Sequence, residues 1–366
     1  VQPLRAGAAH AVPLTVLALF ILGPMMLAVD RLWAVTGTSP LEAVFDLPSS
    51  GREALRTATG LATLAAVGTV LLGTPVALAL AAMRDPWRRR LRALIALPFV
   101  CPSIVAAVGF LALMDLLGKH GPVVRGWSLW PEAGPGTVLL LVAMVWFNLS
   151  LAVRIVEPSV SRADPRYLEQ LRLLPGGQTR LGRARTWWWP LLGPGLTAAA
   201  GLTFTFAFTS LALVRWLAPD TLTLEVLLAE QGSGAGIPGY RVDLSRLVLG
   251  AAVAQAAVLL VAVAVVNTMQ RRHRFALDAA SSDAVRRGLA AGVWGHPLLR
   301  WPLTVGAALF AVAPLMLIGL ASFRVRTPDG WTLGLDGWRR AFQGDSGGVT
   351  LMEAFWSTLQ TASITV

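Results

Sequence analysis

The chain is short of charge, of cysteine and of lysine. Only 14% of its 366 residues are charged, against about 25% in a soluble domain. Hydrophobic residues make up 55%, and the mean hydropathy is +0.62. The apolar runs are too long for soluble domains and long enough to cross a hydrocarbon layer of about 30 Å. One cysteine, Cys101, excludes an internal disulfide or a cysteine metal site. In its apolar setting it reads as a small buried hydrophobe. Lys119 stands alone against thirty arginines, a bias taken as genomic. The four histidines (His10, His120, His273, His296) are scattered, and neither HExxH nor GxSxG occurs. A membrane hydrolase would lack its metal or nucleophile, and no metal ligand set is expected. GxxxxGK[ST] is also missing, so this chain has no loop to cradle ATP phosphates and no cofactor is assigned to it. Residues 234–239 satisfy GxGxxG, but they follow no strand pattern and carry no nucleotide reading.

What the chain has is a series of spans. Apolar windows fall near 12–33, 59–83, 93–117, 137–157, 191–214, 246–267 and 302–323, and an eighth begins near 354. The first follows Arg5 and reads as an uncleaved span rather than a signal peptide. Arginine collects in alternate loops: Arg84, Arg88, Arg89, Arg90 and Arg92 after the second span; Arg162, Arg166, Arg172, Arg180, Arg183 and Arg185 after the fourth; Arg271, Arg272, Arg274, Arg286 and Arg287 after the sixth. The intervening loops have mixed charge, with Glu42, Asp46, Arg52 and Glu53 in one and Asp220, Glu225, Arg241 and Asp243 in another. Arginine-rich loops stay in the cytoplasm, so the pattern predicts a cytoplasmic N-terminus. The net charge of +11 belongs to these loops and to lipid headgroups rather than to nucleic acid.

Pro24, Pro75, Pro98, Pro102, Pro194 and Pro314 lie within or beside spans, where they mark helix ends or flexing points. Asp30 and Asp115 fall at span ends, within reach of water. Asn148, Ser150, Thr203, Thr205, Thr209 and Ser210 are polar positions in apolar spans. They either line a polar pathway or tie helix to helix. Asn148, Ser150, Thr205 and Ser210 are the candidates for lining it.

The segment 158–190 interrupts this series. Asp164-Pro165 supplies a helix start, and Pro175-Gly176-Gly177 a stop about three turns later. Between them Tyr167, Leu168, Leu171 and Leu174 share one face, while Arg166, Glu169 and Arg172 lie elsewhere. Such a helix lies against its own bundle or docks into another protein's groove. Arg180 to Arg185 and Trp187-Trp188-Trp189 read as an anchor at headgroup level.

Glu169, Pro175-Gly176-Gly177 and Trp189-Pro190-Leu191-Leu192 resemble the Glu-Ala-Ala…Gly…Leu-Pro loop of ATP-binding-cassette importer permeases. Three further segments resemble the ferric-iron and thiamine importer permeases, some of which fuse two permease halves: LPFVCPSIVAAVGFLALMDLLGKHG (97–121), MVWFNLSLAVRIVEPSV (144–160) and TLTLEVLLAEQ (221–231). Gln170 and Leu171 replace the two alanines, and an extra residue leaves Gly176 and Gly177 both eligible as the loop glycine. The resemblance implies an all-α polytopic membrane protein: a six-span permease half plus the start of a second. It implies coupling through Tyr167, Leu168, Glu169, Leu171, Arg172, Leu174, Pro175, Gly176, Gly177 and Pro190. The implied partners are an ATPase subunit dimer that carries ATP and Mg, an extracytoplasmic binding protein, and a second permease half, fused or dimeric. The implied location is a bacterial cytoplasmic membrane, with ferric iron or thiamine as substrate and sulfate, polyamine or phosphonate left open. The rival is an ion-coupled secondary transporter, which would need ionisable groups at mid-membrane.

An internal repeat fits the second half. PLTV at 13–16 recurs at 302–305, Pro24 recurs as Pro314, and Glu53-Ala54 recurs as Glu353-Ala354. The offset grows from 289 and 290 to 300, which fits a longer loop in the second copy. The pattern predicts a permease domain at 1–270, a cytoplasmic linker at 271–300 and the start of a second domain at 301–366. The second copy stops at Val366 inside its second span, and a second coupling loop is expected about 290–300 residues after the first.

Overall fold

The computed structural model describes residues 4–161, 189–235, 237, 241–272, 293–327, 330–343 and 350–365. Three long helices form the centre: α3 (Ser49–Ala81), α7 (Thr137–Ser161) and α8 (Trp189–Phe208), each packed on the other two. Small residues explain the closeness. Ala54, Ala58, Ala62, Ala65 and Ala66 are buried along α3 at helical spacing, so backbones approach where lipid offers no hydrophobic drive. Above this stripe the largest buried side chains, Trp146, Phe110 and Phe208, fill the remaining space.

Around the centre lie α1 (Leu4–Thr36), the short α2 (Pro40–Phe45), and the half-length α4 (Trp87–Val100) and α5 (Ser103–Leu116). The short α6 (Gly121–Arg125), α9 (Leu211–Leu217) and α10 (Leu224–Gln231) cap the ends, and α11 (Val242–Arg272) and α12 (Pro297–Ala321) complete the bundle. Helices α1, α2, α8 and α10 pack on α11, while α12 packs on α3, α4 and α5. Five of the described helices are long and apolar enough to span a membrane, namely α3, α7, α8, α11 and α12. The α4–α5 pair makes a sixth candidate. The protein is therefore an all-α polytopic membrane protein, and the window 12–33 lies within α1.

Two expected spans are not single helices. The window 93–117 divides into α4 and α5, which meet at 104°. Pro102 excludes helical geometry at the residue before it, and Cys101 is extended (φ −76°, ψ 132°). The window 191–214 ends early, at Phe208; Ser210 is extended (φ −85°, ψ 95°), and α9 restarts at Leu211. Averaged hydropathy runs through both breaks because the breaking residues are themselves apolar or small.

After α12 come an antiparallel hairpin, β1 (Arg324–Thr327) and β2 (Gly330–Leu333), then α13 (Asp336–Gln343) and α14 (Leu351–Thr365). Two helix starts carry reciprocal caps. Ser39 and Glu42 form one at α2, where hydrogen bonds from the Ser39 backbone, then its side chain, hold the Glu42 carboxyl below its ordinary range. At α14 the Thr350 N–H donates to Glu353 Oε2 over 2.8 Å, and the Glu353 N–H to Thr350 Oγ1 over 3.2 Å.

Candidate functional site

The break between α4 and α5 opens the bundle. A cavity of about 580 Å³ lies where the start of α5, the middle of α7 and the α8–α9 bend converge. Its polar lining comes from Ser103, Asn148, Thr209, Ser210 and Arg215, and its apolar lining includes Phe147, Phe206 and Trp216. Asn148 is 2% exposed. Its amide donates to the Met144 carbonyl of its own helix over 2.8 Å, and its Oδ1 is buried with no hydrogen-bond partner among the described residues. Thr209 Oγ1 donates to the Thr205 carbonyl over 2.9 Å. Among the described residues Arg215 is the only charged one in the lining, and it pairs with Glu230 over 2.5 Å at the half-exposed rim. No carboxylate lines the cavity among the described residues.

Two of the four pathway candidates, Asn148 and Ser210, thus meet in one cavity. Ser150 does not join them: two residues further along α7 it faces elsewhere, fully buried, with its hydroxyl unpartnered. Thr205 bonds back to the Gly201 carbonyl over 2.9 Å and lines a separate pocket of about 220 Å³ against α11, with Val266 and Asn267. Sequence reasoning missed Ser103 and Arg215 as lining residues. Pro102 was the available signal for Ser103, because a helix start forced into mid-span exposes whatever follows it. Among the coupling candidates, Tyr167, Leu168, Glu169, Leu171, Arg172, Leu174, Pro175, Gly176 and Gly177 lie outside the described residues. Pro190 is the second residue of α8, where a missing N–H leaves no intrahelical bond unmade.

A second constellation sits at the other end of α7. Glu157, 1% exposed, is met from α4 by Arg92, whose guanidinium donates to Oε2, and by Arg88, 3.8 Å from Oε1. Arg88 also lies 3.5 Å from Asp85. Alongside, Trp87 packs edge-on to Trp301 of α12 at 5.7 Å, with Arg90 over Trp87 and Arg300 over Trp301. This tryptophan–arginine layer is the kind that settles at a headgroup boundary.

No family model matches the chain. It is 30% identical to the molybdenum transport system permease protein of Mycobacterium bovis over 233 residues, which cover 60% of this chain and 77% of that one. The thiamine transport system permease protein of Brucella suis is 30% identical over 168 residues, 44% of this chain and 30% of the relative. The sulfate transport system permease protein of Salmonella typhimurium is 29% identical over 155 residues, 42% and 54%. The matches therefore span about a third of the thiamine protein and about half of the sulfate protein. The fold is also that of a chain in the crystal structure of a bacterial alginate ABC transporter in complex with an alginate pentasaccharide-bound periplasmic protein. The TM-score is 0.53 at 15% identity, over 73% of this chain and 94% of the other.

Proposed function

The chain belongs to the inner-membrane permease family of ATP-binding-cassette importers, and on that premise we propose that it forms the solute pathway of a binding-protein-dependent importer. It performs no bond chemistry in this reading. A separate ATPase dimer, holding ATP and Mg, hydrolyses the nucleotide, and an extracytoplasmic binding protein delivers the solute. The observation that carries the proposal is the cavity at the broken span, where three independent segments place Ser103, Asn148 and Ser210 around one space. Asn148 sits near the middle of α7, so the cavity falls at the depth where a pathway must alternate between its two openings. The N-terminus lies in the cytoplasm, and 158–190 is the segment that meets the ATPase at Glu169. An ion-coupled secondary transporter is disfavoured because the cavity offers no carboxylate to take up an ion.

The family resemblance points to ferric iron or thiamine. The lining favours a second reading, a small oxyanion. Ser103, Asn148 and Ser210 offer hydroxyl and amide donors, and no acid lines the cavity among the described residues. Arg215 can meet an anion if it parts from Glu230 at the rim. Relatives named for sulfate and molybdenum agree with it. Proteoliposomes holding the full transporter, its ATPase and its binding protein decide between them. ATP-driven uptake of molybdate or sulfate supports the oxyanion reading, and uptake of thiamine or ferric iron supports the first. Absence of ATP-driven uptake for all four, and for polyamine and phosphonate as well, removes the permease proposal.

The same chain holds, in this proposal, a first permease domain at 1–270, a linker at 271–300 and the start of a second domain at 301–366. Element order supports it. A long helix, a short helix and a third helix occur as α1, α2, α3 and again as α12, α13, α14, with α14 covering 15 residues against 33 in α3. The hairpin from Arg324 to Leu333 is the insertion in the second set and accounts for the growing offset. Sequencing the gene beyond codon 366 tests this, with a second Glu…Gly…Pro loop expected and a stop codon or unrelated continuation fatal to it.

A further inference from the structure

We infer that Glu157 is a positioning residue that makes the two walls of the cavity move together. The inference rests on the permease proposal above and names one route by which its cytoplasmic face drives its pathway. Glu157 lies in the last turns of α7, directly before the segment proposed to meet the ATPase. Its carboxylate is buried, yet its two partners stand four residues apart on a different helix, α4. The arginines are 21% and 41% exposed, so the pair is only part-buried; such a pair adds little net stability, and fixing one register is the role best attested for it. An acid at the edge of a span also needs a reason to be there.

The register it fixes joins two ends of one mechanical path. From Glu157, α7 runs back to Asn148 on one wall of the cavity. From Arg88 and Arg92, α4 runs up to the 104° break, and beyond it Ser103 stands on the facing wall. A push on the cytoplasmic end of α7 would move Asn148 alone if α4 were free. With the carboxylate held by both arginines, α4 follows, and the break converts its displacement into movement of Ser103. Among the described residues Glu157 Oε1 has no hydrogen bond, only the 3.8 Å approach of Arg88, which also faces Asp85. Arg88 can therefore tighten on Glu157 or relax toward Asp85 as the helices shift.

The test compares wild type, Glu157→Gln, Arg92→Gln and the exchange Glu157→Arg with Arg92→Glu and Arg88→Gln, which leaves no arginine facing the new one, each in the complete transporter in proteoliposomes. The readout is solute taken up per ATP hydrolysed, for whichever of molybdate, sulfate, thiamine or ferric iron the wild type carries. Each single change is expected to lower that ratio by about tenfold while ATP hydrolysis continues, and the exchange is expected to restore most of it. An unchanged ratio in the single variants overturns the inference and leaves the permease proposal standing. So does an exchange variant that assembles yet stays uncoupled. Single variants that fail to assemble would make the pair a folding device and also overturn it. A wild-type transporter that carries none of the four solutes, and neither polyamine nor phosphonate, removes the permease proposal and this inference with it.

Discussion

The indole N–H of Trp146 donates to the carbonyl of Phe310 over 2.7 Å, joining α7 to α12 across 164 positions of chain. That carbonyl is free for a specific reason. In an α-helix it would accept from the residue four positions on, which here is Pro314 and has no N–H. Trp146, fully buried and edge-on to Phe110 at 5.6 Å, supplies the missing donor from a neighbouring helix. Close packing of α5 on α12 accompanies it: a Cβ on Gly109 would come within 2.7 Å of the Pro314 carbonyl.

Trp146→Phe should therefore destabilise the protein by about 1–3 kcal/mol through an unsatisfied buried carbonyl. Pro314→Ala restores a backbone donor, so the double variant should lose less than the sum of the two single losses. Thermal unfolding in detergent measures all three. Strictly additive losses would show that Trp146 does not answer the proline.

The sequence made the spans readable because bilayer thickness imposes a length and a hydropathy that no soluble helix of this size shares. It did not reveal the bends, since Cys101, Pro102 and Thr209-Ser210 barely lower a windowed average. Half of the cavity was readable, as Asn148 and Ser210 are polar in apolar surroundings. Their partner Ser103 was not, because only the three-dimensional break brings it to them. Thr205 and Ser210 face different spaces because the helix ends at Phe208. Glu157 escaped because its partner Arg92 is 65 positions away and resembled a headgroup arginine.

Orientation gives the next prediction. With arginine-rich loops inside, a single cysteine at position 178, on a background lacking Cys101, should resist an impermeant maleimide added to intact cells. A cysteine at Ser233 should react with it. Reaction at 178 from outside reverses the proposed topology.

Coupling is expected to pass through 165–177. Glu169→Arg, or Val at both Gly176 and Gly177, should leave membrane insertion unchanged while abolishing uptake and stimulation of the ATPase. The first change reverses the charge that the proposal sets against the ATPase, and the second removes the backbone freedom expected of a Pro-Gly-Gly stop. Normal uptake by both variants would place the docking segment elsewhere.

The cavity makes the most discriminating prediction, because the four pathway candidates no longer stand or fall together. Asn148→Leu keeps the branched shape but removes the amide from a cavity lined also by Ser103 and Ser210. Ser210→Ala removes one hydroxyl at the α8–α9 bend. If each group makes one hydrogen bond to the passing solute, each loss should weaken uptake by about two- to tenfold. Arg215→Gln should act more strongly on an anionic solute than on thiamine, because among the described residues it removes the only cation of the lining and leaves Glu230 without it. Thr205→Val is the control: its hydroxyl already bonds Gly201, and it faces the pocket against α11, so uptake should stay within about twofold. Concentration-dependent uptake in proteoliposomes measures all four. Loss of uptake in Thr205→Val together with wild-type uptake in Asn148→Leu would move the pathway to the α8–α11 face.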